Sequence, residues 1–264
     1  MDSLAFSALS ALSAVKPLMR NLRVTLSYDG TDFFGWQTQP NHRTVQQTFE
    51  DAIHRLTGER VRANASGRTD TGVHAVGQVV NLYTNSALAP NVLVRALNAH
   101  LPDDIVVREV DDVPQGFDAN RDAKRKLYRY VIHDGPVPDL FMRRYCHHSR
   151  HRLDAAAMTR AAAVLRGRHD FHSFETDWPN RMSSVRTITH LALNRMGDWI
   201  WLDVEADGFL YNMVRAIAGT LINVGRGYWP ESQVAEILRA EDRTQGGPTA
   251  PAQGLFLMRV TYER

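Results

Sequence analysis

The chain has one cysteine, Cys146, in 264 residues. A single thiol excludes an intrachain disulfide and any zinc site built on paired cysteines, and it suits a reducing compartment. Long apolar runs are missing as well. Residues 1–20 are rich in Ala, Ser and Leu, but serines break the run repeatedly, and its two bases, Lys16 and Arg20, follow the apolar part. A secretory signal has its positive charge first, and an interrupted run makes no transmembrane helix. The Ser-rich, acid-poor composition also fits an organelle transit peptide. The expectation is a loosely ordered extension (residues 1–20) on a cytoplasmic protein.

Net charge is low too: 31 Lys/Arg oppose 29 Asp/Glu, for a formal +2. That balance hides an uneven distribution. Between Arg121 and Arg168 there are twelve Lys/Arg and four Asp/Glu, a net of +8, which leaves −6 for the rest of the chain. A basic block inside a near-neutral protein is the footprint expected for a polyanionic partner, nucleic acid above all, but on charge alone a solvated basic face with no partner fits equally well. A 44% hydrophobic content supplies core for one large domain or two small ones.

Element types alternate along the chain. Residues 22–28 have the β-branched content of a strand. Thr44, with Gln47 three residues on, reads as a capping box opening a helix to Leu56, stopped by Gly58. Strand-like segments follow at 59–65 and 76–83, a helix at 91–100 ahead of Pro102, and a strand at 105–110. The second half repeats this rhythm, with strands at 126–133, 185–195, 199–206 and 255–262 and helices at 154–165, 210–224 and 231–240. The pattern predicts an α+β protein of two similar, mostly antiparallel sheet units with helices on one face, forming a central cleft. The halves are expected at 21–115 and 116–264, the second carrying the basic segment. A long ordered loop, 135–152, is expected to carry Arg143, Arg144, Arg150 and Arg152 together with the aromatics Phe141 and Tyr145.

One stretch concentrates chemistry. Ser66-Gly67-Arg68-Thr69-Asp70-Thr71-Gly72-Val73-His74-Ala75 sets a carboxylate between two glycines and between two predicted strands. Glycines so close together suit a tight turn, and a loop held by strands on both sides is where reactive residues are placed. Alone, Asp70 reads as an Asx-turn that caps its own backbone. His74, beside Val73 and Ala75, reads as a satisfier of loop backbone rather than a metal ligand. Cys146-His147-His148 lacks a fourth ligand at useful spacing, so no metal site is expected.

The run from Gly67 to Ala75 resembles the active-site motif of the tRNA pseudouridine synthase A family. Other segments resemble that family in the same order: Tyr28-Asp29-Gly30-Thr31-Asp32-Phe33-Phe34-Gly35-Trp36-Gln37-Thr38-Gln39, Thr44-Val45-Gln46, Phe117-Asp118-Ala119, Tyr128-Arg129-Tyr130, Asn212-Met213-Val214-Arg215 and Gly254-Leu255. The resemblance spans about Leu22 to Tyr262 and implies a pseudouridine synthase fold. It also implies isomerisation of uridine in the anticodon stem-loop of tRNA, at positions 38, 39 and 40. Thr71 departs from relatives, which often have alanine there.

The implied chemistry breaks the N1–C1′ bond, turns the uracil and rejoins it through C5. No redox or phosphoryl step occurs, so no cofactor is expected. An ionised carboxylate supplies the nucleophile or the stabiliser of a cationic sugar. The resemblance gives that role to Asp70, by attack at C1′, attack at C6 or a glycal route. It gives Arg215 the part of the cation that keeps Asp70 ionised, and Arg68 that of extruding the base or occupying its space. Tyr128 becomes the platform for a flipped uracil and a candidate for proton transfer from C5, and Leu255 the apolar floor. Tyr130 shares the strand face of Tyr128, so alternation alone does not separate them. Arg121, Lys124, Arg125, Lys126, Arg143 and Arg144 would line the RNA path through phosphate contacts. The implied partners are tRNA and a second copy of the chain, with no membrane. Two other classes fit parts of the pattern. One is an RNA-holding module without chemistry, which has no use for a carboxylate among phosphates. The other is a metal-assisted hydrolase, which a chelator would stop.

Overall fold

The computed structural model describes residues 19–176 and 183–263. The expected extension therefore lies outside the described residues except for Met19 and Arg20, and Arg20 already belongs to a strand. Strands β1 (Arg20–Tyr28), β2 (Asn64–Ala65), β3 (His74–Thr84), β4 (Ile105–Val113) and helices α1 (Val45–Thr57) and α2 (Pro90–His100) make up the first half. The second half contains β5 (Ala123–His133), β6 (His147–His148), β7 (Gly167–Asp170), β8 (Val185–Met196), β9 (Trp199–Ala206) and β10 (Leu255–Tyr262). Its helices are α3 (Ala155–Ala162), α4 (Met213–Gly225) and α5 (Gln233–Ala240).

The strands form one sheet in the order β4-β1-β3-β10-β5-β9-β8-β7, with β2 paired to β3 and β6 to β5. Every neighbour along that path is antiparallel except at the seam between β3 and β10. There two parallel pairs, Phe256 with His74 and Leu257 with Ala75, join the halves. The last strand is thus laid between two antiparallel meanders and makes them continuous. On the first half, Leu22, Val24, Leu82 and Val110 meet Ile53 of α1 and Leu93 and Leu97 of α2 across one sheet face. In the second half α4 is buried on almost every side, from Met213 to Gly225, as suits a helix that is apolar all round.

The structure corrects several expected elements. The capping box does not form: Gln47 donates to Asp51 instead, and the Thr44 hydroxyl is buried without a partner. The first helical amides have other acceptors, since Val45 N–H reaches the Gly35 carbonyl and Gln46 N–H that of Trp36. Gly58 does end the helix, in the left-handed region at φ 77°. The strand expected at 59–65 shrinks to Asn64–Ala65. Side chains use up its other groups: Glu59 accepts from the Thr84 hydroxyl and the Asn85 amide, and Glu50 accepts from the Ala63 amide. The helix expected from Leu210 starts at Met213, because Asn212 takes a left-handed conformation (φ 61°) and turns the chain first.

Candidate active site

The loop from Ser66 to Val73 joins β2 to β3 and is held from several directions. Ser66 N–H donates to the Val79 carbonyl (2.8 Å), its hydroxyl to Gln78 Oε1 (2.7 Å), and Gln78 Nε2 to the Gly67 carbonyl (2.8 Å). The Tyr28 and Thr69 hydroxyls lie 2.8 Å apart, and Trp36 N–H donates to the Thr69 carbonyl (3.0 Å). Gly72 turns the chain at φ 75°. The segment from Tyr28 to Gln39 lies directly against this loop, which is why it needs two of its glycines. A Cβ on Gly30 would stand 2.0 Å from the Val73 carbonyl oxygen, and one on Gly35 2.7 Å from that of Thr69.

Asp70 Oδ2 lies 3.3 Å from Arg215 Nη1, with the two side chains 23% and 17% exposed. Arg215 stands in the first turn of α4 and is fixed by donating to the Ala250 carbonyl (2.8 Å) and to Asn212 Oδ1 (2.7 Å). The left-handed turn at Asn212 therefore both starts the helix and aims its arginine. Burial pushes the Asp70 carboxyl above the ordinary carboxylate range, and the Arg215 guanidinium pulls it back only in part.

Tyr128 is buried on β5, with the ring of Phe209 edge-on at 5.0 Å. Burial, with Tyr28 and Asp70 nearby, raises its phenol pKa well above the usual value. Tyr130 separates from it in a way alternation did not show. It is fully buried, its hydroxyl donates to the Pro251 carbonyl (2.8 Å), and its ring fills the space where a Gly254 Cβ would sit. Leu255 is buried at the start of β10, opposite Tyr130, and Leu257 is opposite Tyr128. Arg68, within the loop, is exposed, with no hydrogen-bond or ion-pair partner among the described residues.

The six cations expected on an RNA path fall into three groups. Arg121, Lys124 and Arg125 are exposed near the start of β5 and are paired with Asp122, Glu263 and Glu205. Arg143 and Arg144 stand exposed on an arm, residues 135–152, that reaches across to the first half. Lys126 is turned inward: its Nζ donates to the Ser66 carbonyl, and burial together with Arg186 pushes the amine down to about 8.

A node of hydrogen bonds docks the arm, and sequence reasoning missed it. Tyr145 donates to Asp29 Oδ2 (2.7 Å), and His74 Nε2 donates to the Arg144 carbonyl (3.0 Å). His74 Nδ1 accepts from the Gly30 amide (3.0 Å). Burial lowers the His74 pKa; Asp29, 3.1 Å away, opposes this without reversing it. His74 thus satisfies backbone groups as expected, and it serves the arm as well as its own loop. Among the described residues no group of three His, Cys, Asp or Glu is placed to hold a metal ion. Nor is any helix among them long and apolar enough to cross a membrane.

The structure thus brings together a half-buried carboxylate, an arginine fixed beside it and a buried tyrosine, with an exposed basic arm nearby. A family model described as tRNA pseudouridine synthase matches residues 25–120 and 161–263, and the chain belongs to that family. The segment between the two matches holds Lys126, Tyr128 and the arm. Relatives bearing the name tRNA pseudouridine synthase A include those of Thermoanaerobacter sp. (strain X514) and Acetivibrio thermocellus, each 45% identical over 92% of this chain and 100% of their own length. The relative from Brevibacillus brevis is 46% identical over the same shares.

Proposed function

We propose that this protein isomerises uridine to pseudouridine in the anticodon stem-loop of tRNA, at positions 38, 39 and 40, as a cytoplasmic homodimer, with Asp70 acting on a flipped-out nucleotide. The Asp70–Arg215 pair, with Tyr128 near enough to Asp70 to feel its charge, carries the reading. Family membership and the relatives' shared name support the reaction and tRNA; the finer address and the dimer follow from the sequence resemblance.

A uridine stacked in RNA is out of reach of a recessed carboxylate, so the nucleotide must leave its stack. Arg68, exposed two residues from Asp70, would occupy the vacated space. Asp70 assists cleavage of the N1–C1′ bond as its carboxylate, and Arg215 favours that charged form. The uracil turns against Tyr128 and Leu255, C5 bonds to C1′, and C5 gives up its proton. The raised Tyr128 pKa keeps it a phenol, so its part is packing the base. Asp70, whose affinity for protons burial has raised, is the better acceptor for the C5 proton.

A tRNA transcript tritiated at uracil C5 tests this. With EDTA present and no cofactor, wild type is expected to release tritium to water. Asp70→Asn should lose at least about 10³-fold in rate while tRNA affinity stays within a few-fold. A large loss of binding in Asp70→Asn would make Asp70 a structural residue, and no release by wild type would leave an RNA binder.

A further inference from the structure

Of the six cations expected on the RNA path, Lys126 alone faces the catalytic loop from beneath. It lies on β5 two residues before Tyr128, on the same strand face. Its ammonium donates to the carbonyl of Ser66, a residue with no exposed surface. The bonds with Val79 and Gln78 stay within the loop's own half, while Tyr262 of β10 approaches the Ser66 side chain and leaves the carbonyl to Lys126. Lys126 reaches it from the other half. Gly67 leaves the room: a Cβ there would stand 3.0 Å from Nζ. Burying a lysine against a neutral carbonyl is costly, and the lowered amine pKa expresses that cost. A cation meant for phosphate would gain more from exposure.

We propose that Lys126 is a positioning residue for the isomerisation, its ammonium tying the Asp70 loop of the first half to the strand that presents Tyr128 in the second. The proposal rests on the isomerase reading. The reacting groups stand on opposite sides of a seam made of two backbone pairs, and the Asp70–Arg215 contact across it is 3.3 Å long. Lys126 adds a second tie at the loop's base. A displacement of about 1 Å between carboxylate and base is enough to lower turnover on the order of 10²-fold.

The tritium-release assay is run on Lys126→Met, which keeps the stem and loses the donor. The expected result is a fall in kcat of about 10- to 100-fold with KM for tRNA within about threefold. Lys126→Cys, alkylated with 2-bromoethylamine to restore an ammonium at lysine's reach, should regain most of kcat. The native Cys146 is buried with its thiol pushed up to about 11, so alkylation falls on the new cysteine, and a Cys146→Ala background checks this. Unchanged kcat in Lys126→Met overturns the proposal. So does a raised KM with a shallower salt dependence at constant kcat, which would make Lys126 a phosphate contact. A loss that alkylation does not repair overturns it too. Should both lysine variants fail to fold, Gly67→Ala decides: its methyl crowds Nζ, and an unchanged kcat there overturns the proposal. Wild type in the same assay separates the two claims, because silence from wild type sinks the isomerase reading itself.

Discussion

The loop that carries Asp70 and the arm that carries Arg143 and Arg144 meet at His74, and they are held by different means. The loop is fixed along its length. Backbone and side-chain bonds reach it from Tyr28, Trp36, Gln78, Val79 and Lys126, and Gly30 and Gly35 bring neighbouring backbone into direct contact. The arm is tied at its base, where β6 pairs with β5 and Arg152 pairs with Asp134 and Asp198, and is docked on the first half by Tyr145, the Arg144 carbonyl and the exposed Arg144–Asp32 pair. Its tip is organised by its own Asp139, which accepts from the Phe141 and Met142 amides, and it leaves Phe141 84% exposed. Chemistry gains from a carboxylate that needs no rearrangement at the moment of reaction. Binding a large polyanion gains from cations that can follow its surface, and Arg143 and Arg144 are presented that way. The difference predicts that damage to the loop lowers kcat, and damage to the arm raises KM.

In the held region, a large effect is expected where Asp70 loses the arginine paired with it. Arg215→Met leaves Asp70 buried with nothing to favour its charged form, so the carboxyl pKa, already raised, rises further. Activity depends on the ionised form and is lost as pH falls through that pKa. The acid limb of the pH–rate profile should therefore move to higher pH in the variant. At neutral pH kcat should fall about a hundredfold, the scale of losing one electrostatic stabiliser, with part of the loss recovered on raising pH. An acid limb at the same pH as wild type would show that Arg215 does not act through the charge of Asp70.

Replacing Arg143 and Arg144 together by Ala probes the other side. The ion pair given up, Arg144 with Asp32 at 3.4 Å, is exposed and contributes little to stability. KM for tRNA should rise about tenfold, and the plot of log affinity against log salt should become shallower by about one unit for each phosphate that is no longer neutralised. An unchanged salt slope would remove the arm from the RNA path.

Residue order showed the elements better than their joining. The strand-like composition of β1, β5 and β9 and the glycine after α1 are local signals, and the structure bears them out within a few residues. The parallel seam at β10 depends on pairing between residues some 180 positions apart, which no window of sequence contains. The Thr44 cap failed for a related reason, since the carbonyls that replaced it belong to Gly35 and Trp36. Asp70 was legible because its turn glycines are close beside it, whereas Arg215, 145 residues away, was reached only through family resemblance. The inward turn of Lys126 was not legible, because a lysine in a basic block has the same letter whether it faces water or a buried carbonyl. The node at Asp29, His74 and Tyr145 left no local signature at all; only the run from Tyr28 to Gln39, whose purpose is to lie against the catalytic loop, pointed near it.

That node is where the two regions are joined, and Tyr145→Phe cuts it by removing a single oxygen. Asp29 keeps its bonds from the Thr31 amide and hydroxyl, so the first half is not left with a naked carboxylate. His74 still donates to the Arg144 carbonyl. The arm should then be presented less uniformly while the loop, held by its many other bonds, stays in place. With docking shared among several contacts, the loss is set at the scale of one ordinary hydrogen bond, about 1 kcal/mol, or roughly a three- to tenfold rise in KM, with kcat within about twofold of wild type. A fall in kcat instead would mean that the arm's docking reaches Asp70 through His74. The contrast between a fixed loop and a compliant arm would then give way to one coupled unit.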